Sequence, residues 1–230
     1  MQAVVAFQTA IVPEVLADAP GYDLCGIYHL SERAGELSCA FYDFYANGSG
    51  RYGLLIGDVL GVEGKAAAGT AQLRYSTRAL AAAGMGPAQI LNTLNGLSET
   101  QGVQFETATL FVGILDVWSS QLLYANAGHE PPMLKRADGQ EEVLASTGPP
   151  LGLQGALLYG ERKSSIGPLD SLLLVTDGLT EARDEDGFFL TEEEVWKLFV
   201  CRLTLRPHEI LLNGSRQASQ NISAPANMTT

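Results

Sequence analysis

The sequence has few cysteines, few basic residues and no long hydrophobic run. Its 230 residues include only Cys25, Cys39 and Cys201, with no CxxC pair, which argues against a zinc knuckle or a disulfide framework. No stretch approaches the roughly 18 consecutive apolar residues of a membrane-spanning helix. Lys and Arg number 14 against 26 Asp and Glu, a formal net charge of −12. Because this charge repels phosphate backbones and anionic headgroups, neither nucleic acid nor a membrane is expected as a partner.

Targeting and linker segments are also missing from the sequence. The N-terminus lacks the basic and long apolar segments of a secretory signal, which predicts a cytoplasmic location. No internal repeat, low-complexity tract or linker rich in proline and serine divides the chain. We therefore expect a single domain over residues 1–230, with a lead-in segment at 1–20 and a loose loop at 213–226.

Hydrophobic patterning predicts more strands than helices. Hydrophobic residues make up 46% of the chain, enough for a large core. An alanine-rich stretch over 65–83 and a segment starting at Pro87 predict two helices, and a third is predicted at 191–201 after a polar turn. Strands are predicted at 23–30, 36–45, 52–57, 107–116, 121–128, 133–137, 141–146 and 171–176. Since helices do not alternate with single strands, the pattern favours a layered α+β sandwich with mostly antiparallel pairing over a doubly wound parallel sheet.

Two aspartates, Asp58 and Asp177, each end an apolar run and precede a turn. Carboxylates delivered by two strands can meet at one edge, where they repel unless a divalent cation lies between them. Mg²⁺ and Mn²⁺ prefer such oxygen ligands, and water acidified by the metal can attack a phosphate. The alternative is that each aspartate only caps a turn. The spacing alone leaves both interpretations open.

His129 lies in the turn Gly128-His129-Glu130-Pro131-Pro132 and is a second candidate for chemistry. A histidine can act as a general acid or base. However, the chain has only two other histidines and no pattern that pairs His129 with a serine and an aspartate. The sequence therefore favours a packing role for His129 within the turn.

Five strings, in order along the chain, resemble the SpoIIE/RsbU-type serine phosphatases, which are bacterial members of the metal-dependent protein phosphatase (PPM) family. The N-terminal QTAIVPE and the string FYDFY at 41–45 also match the opening of that family. The resemblance spans roughly residues 7–229. The five strings are GDVLG at 57–61, ATLFVGILD at 108–116, LLYANAGHEPPML at 122–134, GPPLGL at 148–153 and LLLVTDGLTEARDEDG at 172–187.

The resemblance implies a four-layer α-β-β-α sandwich, in which two mostly antiparallel sheets are flanked by helices, with a dinuclear Mn²⁺ or Mg²⁺ site at one edge. Asp58 matches the bridging carboxylate, Val59 the residue whose backbone carbonyl binds metal, and Asp177 a further metal ligand. Asp58 and Asp177 are thus the candidate catalytic residues. The implied reaction is hydrolysis of phosphoserine or phosphothreonine by a metal-bound water, without a phosphoenzyme.

The resemblance also implies partners for the chain. The substrate of such a domain is a phosphorylated signalling protein, commonly a STAS-type anti-sigma-factor antagonist. Relatives often carry a sensor domain before the phosphatase, so we expect an N-terminal sensor domain or a homodimer as a further partner. Because the chain begins close to the matching region, it is either an excised part of a longer protein or a protein by itself, and the sequence leaves both interpretations open.

Three positions depart from the family pattern: Ala40 and Ala226 stand where relatives carry acidic residues, and Leu60 replaces a serine. Glu63 is either a substitute ligand or a solvent-facing charge. With two carboxylates missing, we expect one weak metal site or none. Two hypotheses follow: a Mn²⁺- or Mg²⁺-dependent phosphatase, or a pseudophosphatase that acts as a binding and regulatory module. Restoring aspartate at positions 40 and 226 together is predicted to raise the affinity for Mn²⁺.

Overall fold

The computed structural model describes residues 11–28, 39–61, 63–98, 107–153 and 158–180. The chain divides into two compact units, residues 1–176 and residues 177–230. All eight described strands and both long helices belong to the first unit, and one short helix is what the structure describes of the second. The single domain over 1–230 stays a prediction.

Five strands of the first unit form an antiparallel sheet. In chain order they are β1 (Phe41–Ala46), β2 (Arg51–Leu60), β3 (Thr107–Asp116), β4 (Gln121–Ala127) and β7 (Arg162–Ser165). They lie in the order β1-β2-β3-β4-β7, and every neighbouring pair is antiparallel. β3 occupies the centre, which explains why its sequence is apolar at consecutive positions: both of its faces are covered.

The other three strands form a smaller antiparallel sheet. They are β5 (Met133–Lys135), β6 (Glu141–Val143) and β8 (Ser171–Leu173). β5 lies in the middle, between β6 and β8. A turn at Asp138 and Gly139 joins β5 to β6, as their sequence predicts.

Two helices cover one face of the larger sheet. α1 runs over Glu63–Ala82 and α2 over Pro87–Ser98, close to the two predicted helices. Pro87 suits the first position of α2 because its missing N–H is not needed there. Ile90, Leu91 and Leu94 recur at helical spacing and are buried, so the apolar face of α2 lies against the sheet.

The opposite face of the larger sheet packs against the smaller sheet. Phe44, Ile56 and Phe111 from the larger sheet share one hydrophobic cluster with Leu134 of β5. A second hydrophobic cluster lies on the helix side of the sheet, and it contains Leu55 and other side chains that point to that face. The α+β class and the two antiparallel sheets are therefore confirmed. Three layers, α-β-β, are described, whereas the helix predicted at 191–201 lies outside the described residues.

Several predicted strands differ from the structure, and β5, β6 and β8 are shorter than predicted. The strand predicted at 23–30 is wrong over its described part, residues 23–28, where the segment forms no strand and both Leu24 and Ile27 are exposed. β7, of sequence Arg-Lys-Ser-Ser, was not predicted because it has no apolar run. β2 continues to Leu60, so Asp58 lies inside the strand and does not end it. Among the described helices, none combines the length and apolarity needed to cross a membrane.

Candidate metal-binding edge of the larger sheet

Asp58 lies in β2 between two defined neighbours. On one side it is paired with Thr109 of β3. On the other side Gly57 pairs with Phe41, the first residue of β1, so extending the same register by one residue places Ala40 beside Asp58. Residues directly opposite one another in antiparallel strands point to the same face. Ala40, Asp58 and Thr109 are all half-buried, so they form a row along one edge of the sheet.

The Asp58 carboxylate is held by its own strand. The backbone N–H of Val59 donates to Oδ1 of Asp58 at 2.8 Å. This bond fixes the direction of the carboxylate without neutralising it. The negative charge of Asp58 also acts on Cys39. Burial, and to a lesser extent the charge of Asp58, raise the pKa of the Cys39 thiol to about 11, whereas a hydrogen bond with Thr70 lowers it. Cys39 is therefore a neutral thiol at pH 7, not the thiolate that metals bind.

The backbone of Val59 faces away from β3. Its register partner Ala108 uses both of its backbone groups on Leu151, with Ala108 N–H donating to Leu151 O at 3.1 Å and Leu151 N–H donating to Ala108 O at 2.8 Å. In an antiparallel sheet, two opposite residues that do not bond each other direct their backbone N–H and C=O groups away from each other. The Val59 carbonyl consequently points to the side on which β1 begins, where Ala40 lies.

Asp177 belongs to the second compact unit. It is the first residue of α3 (Asp177–Thr180), a single helical turn, and it is exposed. β8 ends four residues earlier, at Leu173, so Asp177 does not terminate that strand as predicted. A carboxylate in the first turn of a helix is favourable. Its role as a further metal ligand stays a prediction.

His129 is buried in the turn after β4 and is 3% exposed. The Asn126 side chain makes two hydrogen bonds to the backbone of His129. The His129 N–H donates to Asn126 Oδ1 at 2.8 Å, and Asn126 Nδ2 donates to the His129 carbonyl at 3.0 Å. Burial lowers the pKa of His129 to about 4, against a smaller raising effect from the backbone of Val175. The ring is therefore neutral at pH 7. The packing role predicted from the sequence agrees with these contacts.

The donors at this edge fit a hard divalent cation only in part. A carboxylate and a backbone carbonyl, from Asp58 and Val59, are oxygen ligands of the type that Mg²⁺ and Mn²⁺ prefer. The third place in the row, Ala40, offers no oxygen from its side chain. Within the described ranges no group of three or more His, Cys, Asp or Glu residues could hold a metal. Ala226 lies outside them, as does the side chain of Glu63.

The sequence did not reveal the neighbours of Asp58. Thr109 lies within an apolar strand in which nothing marks it as special, and Cys39 looked like an isolated thiol. Only the register of β2 with β1 and β3 brings them together. The one signal that could have located Thr109 is the register itself: pairing the two predicted strands residue by residue from their matched ends would have placed Thr109 opposite Asp58.

Comparisons with known proteins agree with the fold and the motifs. The family model of Stage II sporulation protein E (SpoIIE) matches residues 48–223. The phosphoserine phosphatase RsbU of Bacillus subtilis is 27% identical over 195 residues, which cover 84% of this chain and 58% of RsbU. The RsbU and RsbW domains of Rv1364c from Mycobacterium tuberculosis superpose with a TM-score of 0.62 at 28% identity, covering 76% of this chain and 47% of that one.

A second solved structure supports the fold alone. The PP2C phosphatase domain of SpoIIE from Bacillus subtilis, solved with a fragment of its regulatory domain, has a TM-score of 0.57 at 18% identity, covering 70% of this chain and 47% of that one. The chain thus spans about half the length of these solved chains and of RsbU. Because the family model covers well over half of the chain, the chain belongs to the SpoIIE/RsbU-type serine phosphatase domains of the metal-dependent protein phosphatase (PPM) family.

Proposed function

We propose that the chain hydrolyses phosphoserine or phosphothreonine on a bacterial signalling protein, with Mn²⁺ or Mg²⁺ as the cofactor. The observation that carries the proposal is the match over residues 48–223, together with an Asp58 that lies half-buried at the sheet edge. RsbU, a relative over 84% of this chain, is itself a phosphoserine phosphatase. When bound, the divalent ion supplies the chemistry of the family, since it acidifies water and polarises a phosphate oxygen.

The residues of the chain would contribute binding and orientation. Asp58 offers a carboxylate whose direction is fixed by the Val59 N–H, and Val59 offers a carbonyl that points toward the start of β1. Asp177 is proposed as a further ligand because it stands in the family string. Asp58 and Asp177 are proposed as the catalytic residues, because both offer the carboxylate oxygens that hard divalent cations bind.

The second candidate function is that of a pseudophosphatase, a binding or regulatory module without turnover. One specific observation favours it: the position beside Asp58, where relatives carry an acidic residue, is Ala40. Two divalent ions carry four positive charges, so each missing carboxylate leaves the site less neutralised and weaker. This alternative predicts one weak metal site or none.

The proposed partner is a phosphorylated regulator of the STAS type. Such substrates are expected from the family, and an N-terminal sensor domain or a second copy of the chain would supply regulation. The acidic balance of the chain, with a net charge of −12, favours partners other than nucleic acid.

The test measures hydrolysis of a phosphoserine peptide and of 4-nitrophenyl phosphate by the full chain, with Mn²⁺ and with a chelator. We expect turnover that requires Mn²⁺ and that falls by about 100-fold or more in Asp58→Asn. Asp138→Asn is the matched control, since it removes the same charge in the β5–β6 turn and should leave turnover unchanged. No Mn²⁺-dependent turnover in the wild type would favour the pseudophosphatase. Turnover that survives in Asp58→Asn would contradict the proposed site.

A further inference from the structure

Asp58 and Thr109 lie beside each other on one face of the larger sheet. They are register partners in β2 and β3, and side chains directly opposite in antiparallel strands have Cβ atoms about 4.5–5.5 Å apart. Ile56, two residues before Asp58, and Phe111, two residues after Thr109, belong to the hydrophobic cluster between the two sheets. By the two-residue period of a strand, Asp58 and Thr109 face the same space between the sheets. Both are half-buried, so they lie where this space opens at the edge.

Thr109 has a hydrogen-bond partner on the side away from Asp58. Its Oγ1 lies 3.0 Å from Nδ1 of His129, which follows β4, whereas Asp58 belongs to β2 on the other side of β3. His129 is fixed because the side chain of Asn126 binds both its N–H and its carbonyl. Asn126 is fully buried, and its own N–H donates to Oγ1 of Thr147 at 2.9 Å. The Thr109 hydroxyl is therefore anchored on one side by a rigid ring.

The anchored hydroxyl has one proton and two lone pairs. Burial lowers the pKa of His129 to about 4, so the ring is neutral at pH 7 and has one acceptor nitrogen. When the hydroxyl donates to Nδ1, both lone pairs of Oγ1 remain for other contacts. Beside it stands the carboxylate of Asp58, which has only acceptor oxygens when ionised. Two neighbouring groups that both present lone pairs repel each other unless a cation lies between them.

We propose that Thr109 is a metal ligand, binding through Oγ1 the divalent cation that Asp58 holds. The ion is a hard cation, Mn²⁺ or Mg²⁺, which prefers oxygen ligands. The Ser or Thr hydroxyl of a phosphate-binding P-loop binds Mg²⁺ in this way. His129 acts as a positioning residue behind Thr109, because it accepts the hydroxyl proton and so directs the lone pairs away from itself. This inference rests on the proposed function, to which it adds a ligand.

The Thr109 ligand does not replace the carboxylate that is missing at Ala40. A hydroxyl is neutral, and contacts of a cation with neutral oxygens are weaker than those with charged ones. The Val59 carbonyl points toward the start of β1, whereas Thr109 lies on the β3 side of Asp58. Thr109 therefore gives Asp58 an oxygen partner on the side that Val59 does not serve.

Three substitutions at position 109 separate metal binding from packing. Thr109→Val removes the oxygen with little change in volume, whereas Thr109→Ser keeps the hydroxyl. Thr109→Cys replaces the hard oxygen with a soft sulfur, which suits Zn²⁺ better than Mn²⁺. The matched controls are Thr107→Val and Thr107→Cys. Thr107 is half-buried on the same face of β3, but its register partner is Leu60.

The experiment measures by calorimetry the dissociation constants of the full chain for Mn²⁺ alone and for Zn²⁺ alone, with circular dichroism to confirm folding. We expect the Mn²⁺ dissociation constant to rise about 10-fold in Thr109→Val and to stay within about threefold of the wild type in Thr109→Ser. In Thr109→Cys the Mn²⁺ dissociation constant should rise while that for Zn²⁺ falls about 10-fold. Both constants should stay within about threefold of the wild type in the Thr107 variants.

A double variant tests whether Thr109 and Asp58 face the same ion. When Thr109→Cys is combined with Asp58→Asn, the gain in Zn²⁺ affinity should disappear. A gain that persists would overturn the inference, because the sulfur would then bind Zn²⁺ without Asp58. A change of the same sign for both metals in Thr109→Cys would also overturn it, since a purely structural role of Thr109 would not distinguish Mn²⁺ from Zn²⁺.

The remaining outcomes separate this inference from the proposed function. An unchanged Mn²⁺ dissociation constant in Thr109→Val overturns the inference even if the chain hydrolyses phosphoserine with Mn²⁺. Mn²⁺ binding without turnover, weakened in Thr109→Val and kept in Thr109→Ser, supports the inference while the proposed function fails. A wild type that binds no Mn²⁺ overturns both. Should Thr109→Val fail to fold, the comparison of Thr109→Ser with Thr109→Cys carries the same test.

Discussion

At the scale of single residues, the clearest electrostatic feature is the buried carboxylate of Asp43. Asp43 is 2% exposed, and its Oδ2 accepts from Arg74 Nε at 2.9 Å and from Arg78 Nη1 at 3.3 Å. The Arg74 side chain is 6% exposed, whereas that of Arg78 is 41% exposed and also lies over the Tyr45 ring. The two arginines therefore pair with one carboxylate in different dielectric surroundings.

Because of this difference, the two arginines should contribute unequally to stability. We expect Arg74→Met to reduce the free energy of unfolding by about 3–5 kcal/mol, since it leaves Asp43 buried with one partly exposed partner. Arg78→Met should cost less than about 1 kcal/mol, because the Arg78 side chain is 41% exposed and water screens its charge. Urea denaturation followed by circular dichroism measures both. Equal losses in the two variants would contradict the buried-pair argument.

Several residues at the candidate site were predictable from the sequence and others were not. Asp58 was found because an aspartate in an apolar run is chemically conspicuous and because it stands in a family string. The roles of Thr109 and of the Asp43–Arg74 pair depend on strand register and helix packing. No local rule encodes which residue of a neighbouring element faces a given side chain, so these roles needed the tertiary structure.

At the scale of elements, prediction succeeded where burial is uniform along a segment. β3 and α2 have apolar patterns that match their covered faces, and their observed bounds lie close to the predicted ones. β7 is held by pairing with β4 and not by apolar side chains, so its polar sequence carries no strand signal. The segment 23–28 shows the converse, because apolar residues there remain exposed and do not form a strand.

The end of β4 gives a prediction at the element scale. Gly128 follows β4 with φ +63°, and a Cβ there would lie 2.5 Å from Pro150 Cδ. Gly139, in the β5–β6 turn, has φ +88° with nothing within 4 Å of a Cβ. Both Gly→Ala changes incur left-handed strain of about 1 kcal/mol, but Gly128→Ala should cost a further ~1–3 kcal/mol from overpacking.

Thermal unfolding of the two alanine variants measures this difference directly. Gly139→Ala is the control for backbone strain, so the gap between the two midpoints reports the contact with Pro150. We expect Gly128→Ala to unfold at the lower temperature. If both variants unfold together, the turn after β4 has room for a side chain and the close approach of the 148–150 loop is not a constraint.

At the scale of the whole molecule, the fold class followed from the order of the elements, whereas the completeness of the metal site did not. The sequence predicts α+β layering because strands outnumber helices and come in groups, and the two antiparallel sheets agree. The proposed metal site would take its ligands from segments far apart in the chain. The strength of such a site would depend on every one of these segments, so that a single replaced position such as Ala40 is proposed to alter it.

Ala40 links this site to the stability of the whole fold. An aspartate at position 40 would lie beside Asp58, where two carboxylates in adjacent strands repel. We therefore expect Ala40→Asp to unfold at a lower temperature than the wild type in a chelator. With Mn²⁺ the order should reverse, because a ligand that binds only the folded state stabilises it, by about 2.7 kcal/mol at 100 times its dissociation constant.

The reversal separates metal binding from ordinary destabilisation. Ala40→Asn has nearly the same volume as Ala40→Asp without the charge, so it should show neither the loss in chelator nor the larger gain in Mn²⁺. Differential scanning fluorimetry over a Mn²⁺ titration compares the three proteins, and we expect the affinity derived for Ala40→Asp to exceed that of the wild type roughly 10-fold. If Ala40→Asp is destabilised equally with and without Mn²⁺, a carboxylate at position 40 is no metal ligand.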